Sequence, residues 1–310
     1  MDQNVYSVVI PVYNSEPIVE NTVAQTIEVF RQHNLKYEIL LVNDGSKDRS
    51  WEKISELARK TEGVVAINFL KNYGQHTAVY CGIVHAKGDY LITMDDDLQN
   101  PPQEVIKLIN KIKEGYDLVF GKFPVKRHGF SRKLGSKVIG YLNEKIFSKP
   151  KDITLTNFRI FTKATAERLK EYRTFYPYIP GLLLMFSSRV ANTETEHHAR
   201  MVGKSNYTIF TILKLVSRLL FNYSSYPLKV LSAVGIGVSL VSFLGGLVYI
   251  LKSFFLGVNV QGWTTLVVLI SFLSGFILII LGVMGEYLVR ILNQLSASAS
   301  YQVVDVVKRD

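Results

Sequence analysis

The chain has 310 residues, 48% of them hydrophobic, a formal charge of +10 and one cysteine. That length holds one sizeable domain plus an appendage, and the hydrophobic share is high for a soluble enzyme. A lone cysteine argues against a disulfide framework or a thiolate metal site, and the basic excess points to nucleic acid, anionic lipid or a phosphorylated substrate.

Val5–Val12, Tyr37–Val42, Val64–Phe69, Tyr90–Met94 and Asp117–Gly121 are short apolar runs rich in β-branched residues. Between them Ile18–Gln32, Asp48–Lys60, Gly74–Ala86 and Pro102–Gly115 carry helical spacing. Such alternation predicts an α/β domain with a mostly parallel sheet covered on both faces. Each strand ends in polar residues: Tyr13-Asn14-Ser15, Asn43-Asp44-Gly45-Ser46, Lys71-Asn72-Tyr73-Gly74 and Asp95–Gln99. These ends share the edge where such sheets bind ligands. No Gly-x-Gly-x-x-Gly follows the first strand and no P-loop is present, so phosphate must be held some other way.

The most informative of these ends is Met94-Asp95-Asp96-Asp97-Leu98-Gln99-Asn100-Pro101-Pro102. Carboxylates crowded at a strand mouth repel one another; a divalent metal between them relieves this, and a solvated acidic turn is the alternative. Asp44-Gly45-Ser46 offers a carboxylate to base or ribose donors, or is a plain turn. From Leu118 to Asn143 the chain has no acid but carries Lys122, Lys126, Arg127, Arg132, Lys133 and Lys137. With only Phe123, Phe130 and Tyr141 interleaved, the run favours a phosphate at a membrane surface over nucleic acid.

Further on, Asp152–Phe161 and Ser187–Thr195 are expected as strands and Thr162–Tyr172 as a helix. Tyr207–Tyr223 is an apolar-rich helix containing Lys214 and Arg218, suited to a membrane interface or to packing on the catalytic domain. Val230–Leu251 and Trp263–Gly285 are 22 and 23 residues without a charge, each long enough to cross a hydrocarbon core. Lys214, Arg218 and Lys229 before them and Arg290, Lys308 and Arg309 after them place both ends in the cytoplasm. The expected layout is a catalytic domain over 1–205, an interfacial region over 206–227, a two-helix hairpin over 228–288 (spans at 230–252 and 263–285), and a cytoplasmic tail over 289–310. Met1-Asp2-Gln3-Asn4 has no basic leader, so no cleavable signal is expected.

Together, Pro11-Val12-Tyr13-Asn14, Asn43-Asp44-Gly45-Ser46-Lys47-Asp48, Asn72-Tyr73-Gly74-Gln75-His76 and the acid cluster resemble the family 2 glycosyltransferases of GT-A (Rossmann-like) fold. Within them the chain is similar to the polyprenyl-phosphate glycosyltransferases, which include dolichol-phosphate mannose synthases, bactoprenol glucosyltransferases and undecaprenyl-phosphate formamido-arabinose transferases. The similarity includes Gly203-Lys204-Ser205-Asn206-Tyr207 and Gly285-Glu286-Tyr287. It implies that Pro11, Tyr13 and Asp44 hold the nucleoside, with Val42 beside the base. Asp95 and Asp97 would meet the donor and a divalent metal, Mg2+ or Mn2+, joined by Gln99. Asp96 falls among the donor-binding positions, although on an extended segment it points away from its neighbours. Lys122 and Arg132 take catalytic basic positions, Arg127, Arg132 and Ser136 receive the lipid phosphate, and Arg200 lies near the diphosphate.

Four departures stand out: Ser15 replaces a usual glutamate, Asn43 an aspartate, Asn206 a lysine, and Asn157 an aspartate proposed as base in some relatives. The resemblance implies inverting, metal-dependent transfer of one sugar from a nucleotide donor, a uridine diphosphate sugar, to undecaprenyl phosphate. It also implies a multi-pass protein of the inner membrane with its catalytic domain in the cytoplasm, serving cell-envelope glycan, lipid A or O-antigen modification, and assembled as a tetramer. A phosphate monoester has a second pKa near ~6, so the acceptor is already an anionic nucleophile and needs no base. The alternatives are a processive polysaccharide synthase, opposed by only two spans and no Gln-x-x-Arg-Trp, and a catalytically silent nucleotide-sugar-binding membrane partner. Adjacent His197 and His198 point to opposite sides of an extended segment and make a poor metal pair.

Overall fold

The computed structural model describes residues 3–123, 130–172, 174, 176–198, 209–256, 262–295 and 301–309. At its centre β1 (Val5–Val12) pairs in parallel with β2 (Lys36–Asn43) and with β4 (Tyr90–Thr93), and β2 pairs in parallel with β3 (Val64–Phe69). Beyond β4 lie β6 (Arg159–Thr162), antiparallel to both neighbours, then β5 (Leu118–Lys122) and β7 (Val190–Glu194), which run parallel to each other. The order is β7-β5-β6-β4-β1-β2-β3-β8, where β8 is Val303–Lys308, antiparallel on β3.

Side chains of β1 alternate across this sheet, as a strand with two covered faces requires. Tyr6, Val8, Ile10 and Val12 join a core with α1 (Val19–Gln32), α2 (Ser50–Lys60) and α4 (Val105–Ile112). Val9 faces the other way, against Gly82 of α3 (Gln75–His85), so closely that a Cβ there would overlap it. On that second face Val42, Ile67, Phe69, Ala78 and Cys81 form a smaller core. Four parallel strands therefore deliver their carboxyl ends to one edge. Because β6 is antiparallel between β4 and β5, Lys122 at the end of β5 and the residues entering β6 reach that same edge.

The remaining helices of the sheet unit are α5 (Phe130–Phe147), α6 (Lys163–Glu171) and α7 (Ile179–Met185). The compact unit holding the sheet comprises Met1–Ile212 and Ser298–Asp310. The expected tail thus contributes an edge strand. Its Tyr301 stacks on Phe69 with ring centroids 5.0 Å apart, and Leu70 N–H donates to the Gln302 carbonyl at 3.0 Å.

The second unit, Leu213–Ala297, consists of the end of α8 (Ile209–Tyr223), α9 (Tyr226–Leu256) and α10 (Trp263–Leu295). Tyr287 Oη donates to the Ser224 carbonyl at 2.9 Å and its ring meets Phe221. Among the described residues one window, Phe272–Val289, is long and apolar enough to cross a membrane, and none of it is buried. Residues 257–261 of the turn expected between the two spans lie outside the described residues.

Candidate active site

The turns after β1 and β2 are laced together before any ligand is considered. Asp44 N–H donates to the Val12 carbonyl at 2.9 Å, Asn14 N–H to Ser46 Oγ at 3.0 Å, and Lys47 N–H to Asn14 Oδ1 at 2.8 Å. Asn14 does this from the left-handed region, φ 52°, which asparagine tolerates better than most residues. Gly45, at φ 63°, is pressed against the next loop: a Cβ would lie 2.5 Å from the Lys71 carbonyl carbon. Only glycine fits both constraints.

This close approach lets Asp44 anchor the loop after β3. Its Oδ1 accepts the Tyr73 N–H at 2.7 Å and its Oδ2 the Gly74 N–H at 2.9 Å, while Asn72 Nδ2 donates to its carbonyl. Burial raises the Asp44 pKa above the ordinary carboxylate value, against the pull of those two amides. The residue expected to serve base or ribose is thus also the pin of the 72–74 loop. Of the other expected nucleoside residues, Tyr13 stands exposed at the mouth, while Pro11 and Val42 are register partners beneath it and Val42 is fully buried.

At the end of β4 the three carboxylates meet three environments. Asp95 receives Gln75 Nε2 at Oδ1 and Asn157 Nδ2 at Oδ2, the latter at 3.5 Å. Asp96, in the turn that follows β4, accepts the Ser15 hydroxyl. Its pKa is raised to about 7, chiefly by desolvation and further by its two acidic neighbours. Ser15, which stands where the family pattern has a glutamate, is thus a neutral partner for a half-buried carboxyl. Asp97 is buried and accepts the Gln99 N–H at 3.1 Å. Leu98 between them is held at φ 55°, a costly conformation for a leucine that is found where surrounding structure imposes it.

Beneath Asp95 lies Arg159, 1% exposed. Its Nε donates to Thr93 Oγ1 at 3.0 Å, and Thr93 Oγ1 donates to the Asn157 carbonyl at 2.6 Å. Burial lowers the Arg159 pKa to about 10, with Asp95 and Tyr178 opposing. Sequence reasoning gave neither Arg159 nor Gln75 a role. A charged residue within the apolar run Phe158–Phe161 was the available signal, since a buried charge requires compensation.

The basic side of the site begins at Lys122. Its carbonyl accepts the Thr195 N–H at 3.0 Å, and the next residue, Phe123, stacks on His197 with centroids 4.3 Å apart. His198 N–H donates to the Gln99 carbonyl at 2.8 Å. His198 is thereby tied to the acid-cluster turn, and Phe123 to the neighbouring His197. Arg127 and Arg200 lie outside the described residues, as do the side chains of Arg132 and Ser136 on α5. His197 stacks on Phe123, and His198 approaches Glu196 at 3.7 Å.

No group of three His, Cys, Asp or Glu side chains converges among the described residues. The Asp95 and Asp97 carboxylates nevertheless supply the kind of oxygen donor that a hard divalent ion such as Mg2+ would take from protein. The donor set is all oxygen, which suits Mg2+ or Mn2+.

Comparison with known proteins agrees with this geometry. Residues 7–184 match the glycosyl transferase family 2 profile. The uncharacterized glycosyltransferase YkcC of Bacillus subtilis is 33% identical over 93% of this chain and 90% of its own length. Undecaprenyl-phosphate 4-deoxy-4-formamido-L-arabinose transferase of Proteus mirabilis is 32% identical, covering 98% and 94%. Among solved structures, glucosyl-3-phosphoglycerate synthase of Mycobacterium tuberculosis, crystallised with Mn2+, uridine diphosphate and phosphoglyceric acid, superimposes with a TM-score of 0.53 at 18% identity, over 71% of this chain and 77% of that one. That likeness is one of fold. The chain belongs to glycosyl transferase family 2 and is a glycosyltransferase with a GT-A-like mixed sheet.

Proposed function

We propose that the enzyme transfers a single sugar from a uridine diphosphate donor to undecaprenyl phosphate at the inner face of the cytoplasmic membrane. The observation that carries this reading is the joining of Asp95–Gln99 to the positions flanking the basic stretch, through Phe123–His197 and His198–Gln99, in a chain similar over its length to undecaprenyl-phosphate sugar transferases.

In this reading Tyr13, Pro11, Val42 and Asp44 form the nucleoside end, and Asp96 braces β4 rather than touching the donor. Asp95, Asp97 and Gln99 would hold the divalent ion, which when bound offsets charge on the leaving diphosphate. Lys122, Arg127, Arg132, Ser136 and Arg200 gather the two anions against their mutual repulsion. A lipid phosphate oxygen attacks the anomeric carbon, the bond from that carbon to the β-phosphate oxygen breaks, and uridine diphosphate leaves with its electron pair. The anomeric centre inverts. No proton need be removed by the protein, consistent with Asn157 at the position of an expected base. The α9 and α10 helices form a membrane hairpin, and the assembly is a homotetramer.

The test incubates the detergent-solubilised full chain with undecaprenyl phosphate and a panel of nucleotide sugars, with Mg2+ or Mn2+, and detects lipid products by mass. One uridine diphosphate sugar should give a lipid-linked sugar, and Asp97→Ala should abolish it while leaving the thermal melt unchanged. Turnover by Asp97→Ala would overturn the metal assignment, and absence of lipid product with every donor would overturn the acceptor.

A further inference from the structure

The Asp95 carboxylate is bracketed by two primary amides from opposite sides of the site. Gln75 is the first residue of α3, on one face of the sheet, and its Nε2 reaches Oδ1. Asn157 precedes β6 and its Nδ2 reaches Oδ2. Neither residue is placed by chance. Gln75 follows Gly74, whose backbone is pinned by Asp44. The Asn157 carbonyl is held by Thr93 Oγ1, which is itself held by the buried Arg159 guanidinium.

Arg159 Nη1 has no hydrogen-bond partner among the described residues. Its charge interacts electrostatically with Asp95, and through Thr93 it fixes the Asn157 carbonyl.

We propose that Gln75 and Asn157 are positioning residues that clamp Asp95 between two amide donors, so that the position of an expected base serves in this chain as a donor to the acid cluster. The inference rests on the function proposed above. Committing a lone pair on each Asp95 oxygen to a positioned donor fixes the orientation of the carboxylate, as hydrogen-bond donors behind a ligating carboxylate would do for a divalent ion held there. An aspartate at 157 would remove the donor and set a second carboxylate beside Asp95, so the two would repel.

The experiment compares Asn157→Asp, Asn157→Ala and Gln75→Glu in the full-length solubilised enzyme. Removing one donor to a charged group should lower kcat roughly tenfold, with a smaller change in donor KM. Asn157→Asp should be at least as damaging to kcat as Asn157→Ala, although it is nearly isosteric. Wild-type or higher kcat in Asn157→Asp would overturn the clamp and restore a base at this position. Uridine diphosphate affinity with Mn2+, measured by calorimetry, reads the clamp without turnover. It should weaken roughly tenfold in Asn157→Asp and Gln75→Glu, and unchanged affinity would overturn the proposal. Intact nucleotide affinity with no lipid product from wild type would count against the acceptor and leave the clamp standing.

Discussion

Asp44→Ala tests the pinning of the 72–74 loop. The substitution strips the acceptor from the Tyr73 and Gly74 amides, now 2.7 and 2.9 Å from its oxygens. An orphaned buried amide costs ~1–3 kcal/mol. Both amides here are half-buried, so water recovers part of that, and removing a desolvated carboxylate returns a little more; the net loss should be about 2 kcal/mol. For a unit of this size that lowers the melting temperature by roughly 4–8 °C. The drop should be read by scanning fluorimetry of the solubilised protein, with uridine diphosphate affinity falling in parallel as the 72–74 loop is released. A melt within about 1 °C of wild type would refute the pinning role. The pH dependence has a definite sign. Burial raises the native Asp44 pKa above 3.8, so across that window the native state keeps a proton that the unfolded chain has lost. Its contribution is complete below 3.8 and falls as pH rises through the native value. The stability gap between wild type and Asp44→Asn should therefore narrow with rising pH over that interval.

Gly45→Ala places a methyl group 2.5 Å from the Lys71 carbonyl carbon at φ 63°. The left-handed conformation alone costs ~1–2 kcal/mol for alanine, so both melting temperature and nucleotide affinity should fall; an unchanged melt would show that the two loops do not touch. Tyr301→Ala removes the ring that stacks on Phe69 and should cost about 2 kcal/mol of sheet-unit stability. Limited proteolysis should then cut the chain near 301 faster than in wild type. Equal rates would mean that β8 is not held by this contact.

The central strands are legible because doubly covered parallel strands read as unbroken apolar runs, and the polar residues ending them mark the ligand edge without knowledge of the fold. Elements defined by distant pairing are not legible. β8 contains four valines in Val303–Lys308, a strand signal, yet its partner β3 lies more than two hundred residues away and two long apolar helices intervene. In sequence it therefore reads as a tail. Helix α5 is hidden differently: its apolar positions are interleaved with glycines and a run of cations, so that in Leu118–Asn143 charge is a stronger signal than period. The acid cluster is recognisable by spacing, although Asp96 and Asp97 lie in a turn and not on the extended segment expected. The hydrogen bonds that give Asp44 a structural duty and give Gln75 a role depend on a close approach of loops that no local pattern encodes.

The cluster's electrostatics follow from those neighbours. Three fully charged carboxylates in succession at one strand end would repel, and nothing in their spacing relieves it. The fold treats them unequally. Asp96 is half-buried and accepts the Ser15 hydroxyl, and desolvation raises its pKa to about 7. Asp95 is met by two neutral amides with the Arg159 guanidinium below, and Asp97 by the Gln99 backbone N–H. Desolvation thus disfavours charge on the middle residue of the three. A glutamate at 15 would put another ionisable carboxyl against Asp96. Ser15 is for this reason more than a tolerated departure from the family pattern: it is a neutral partner for a carboxyl whose charged form desolvation disfavours.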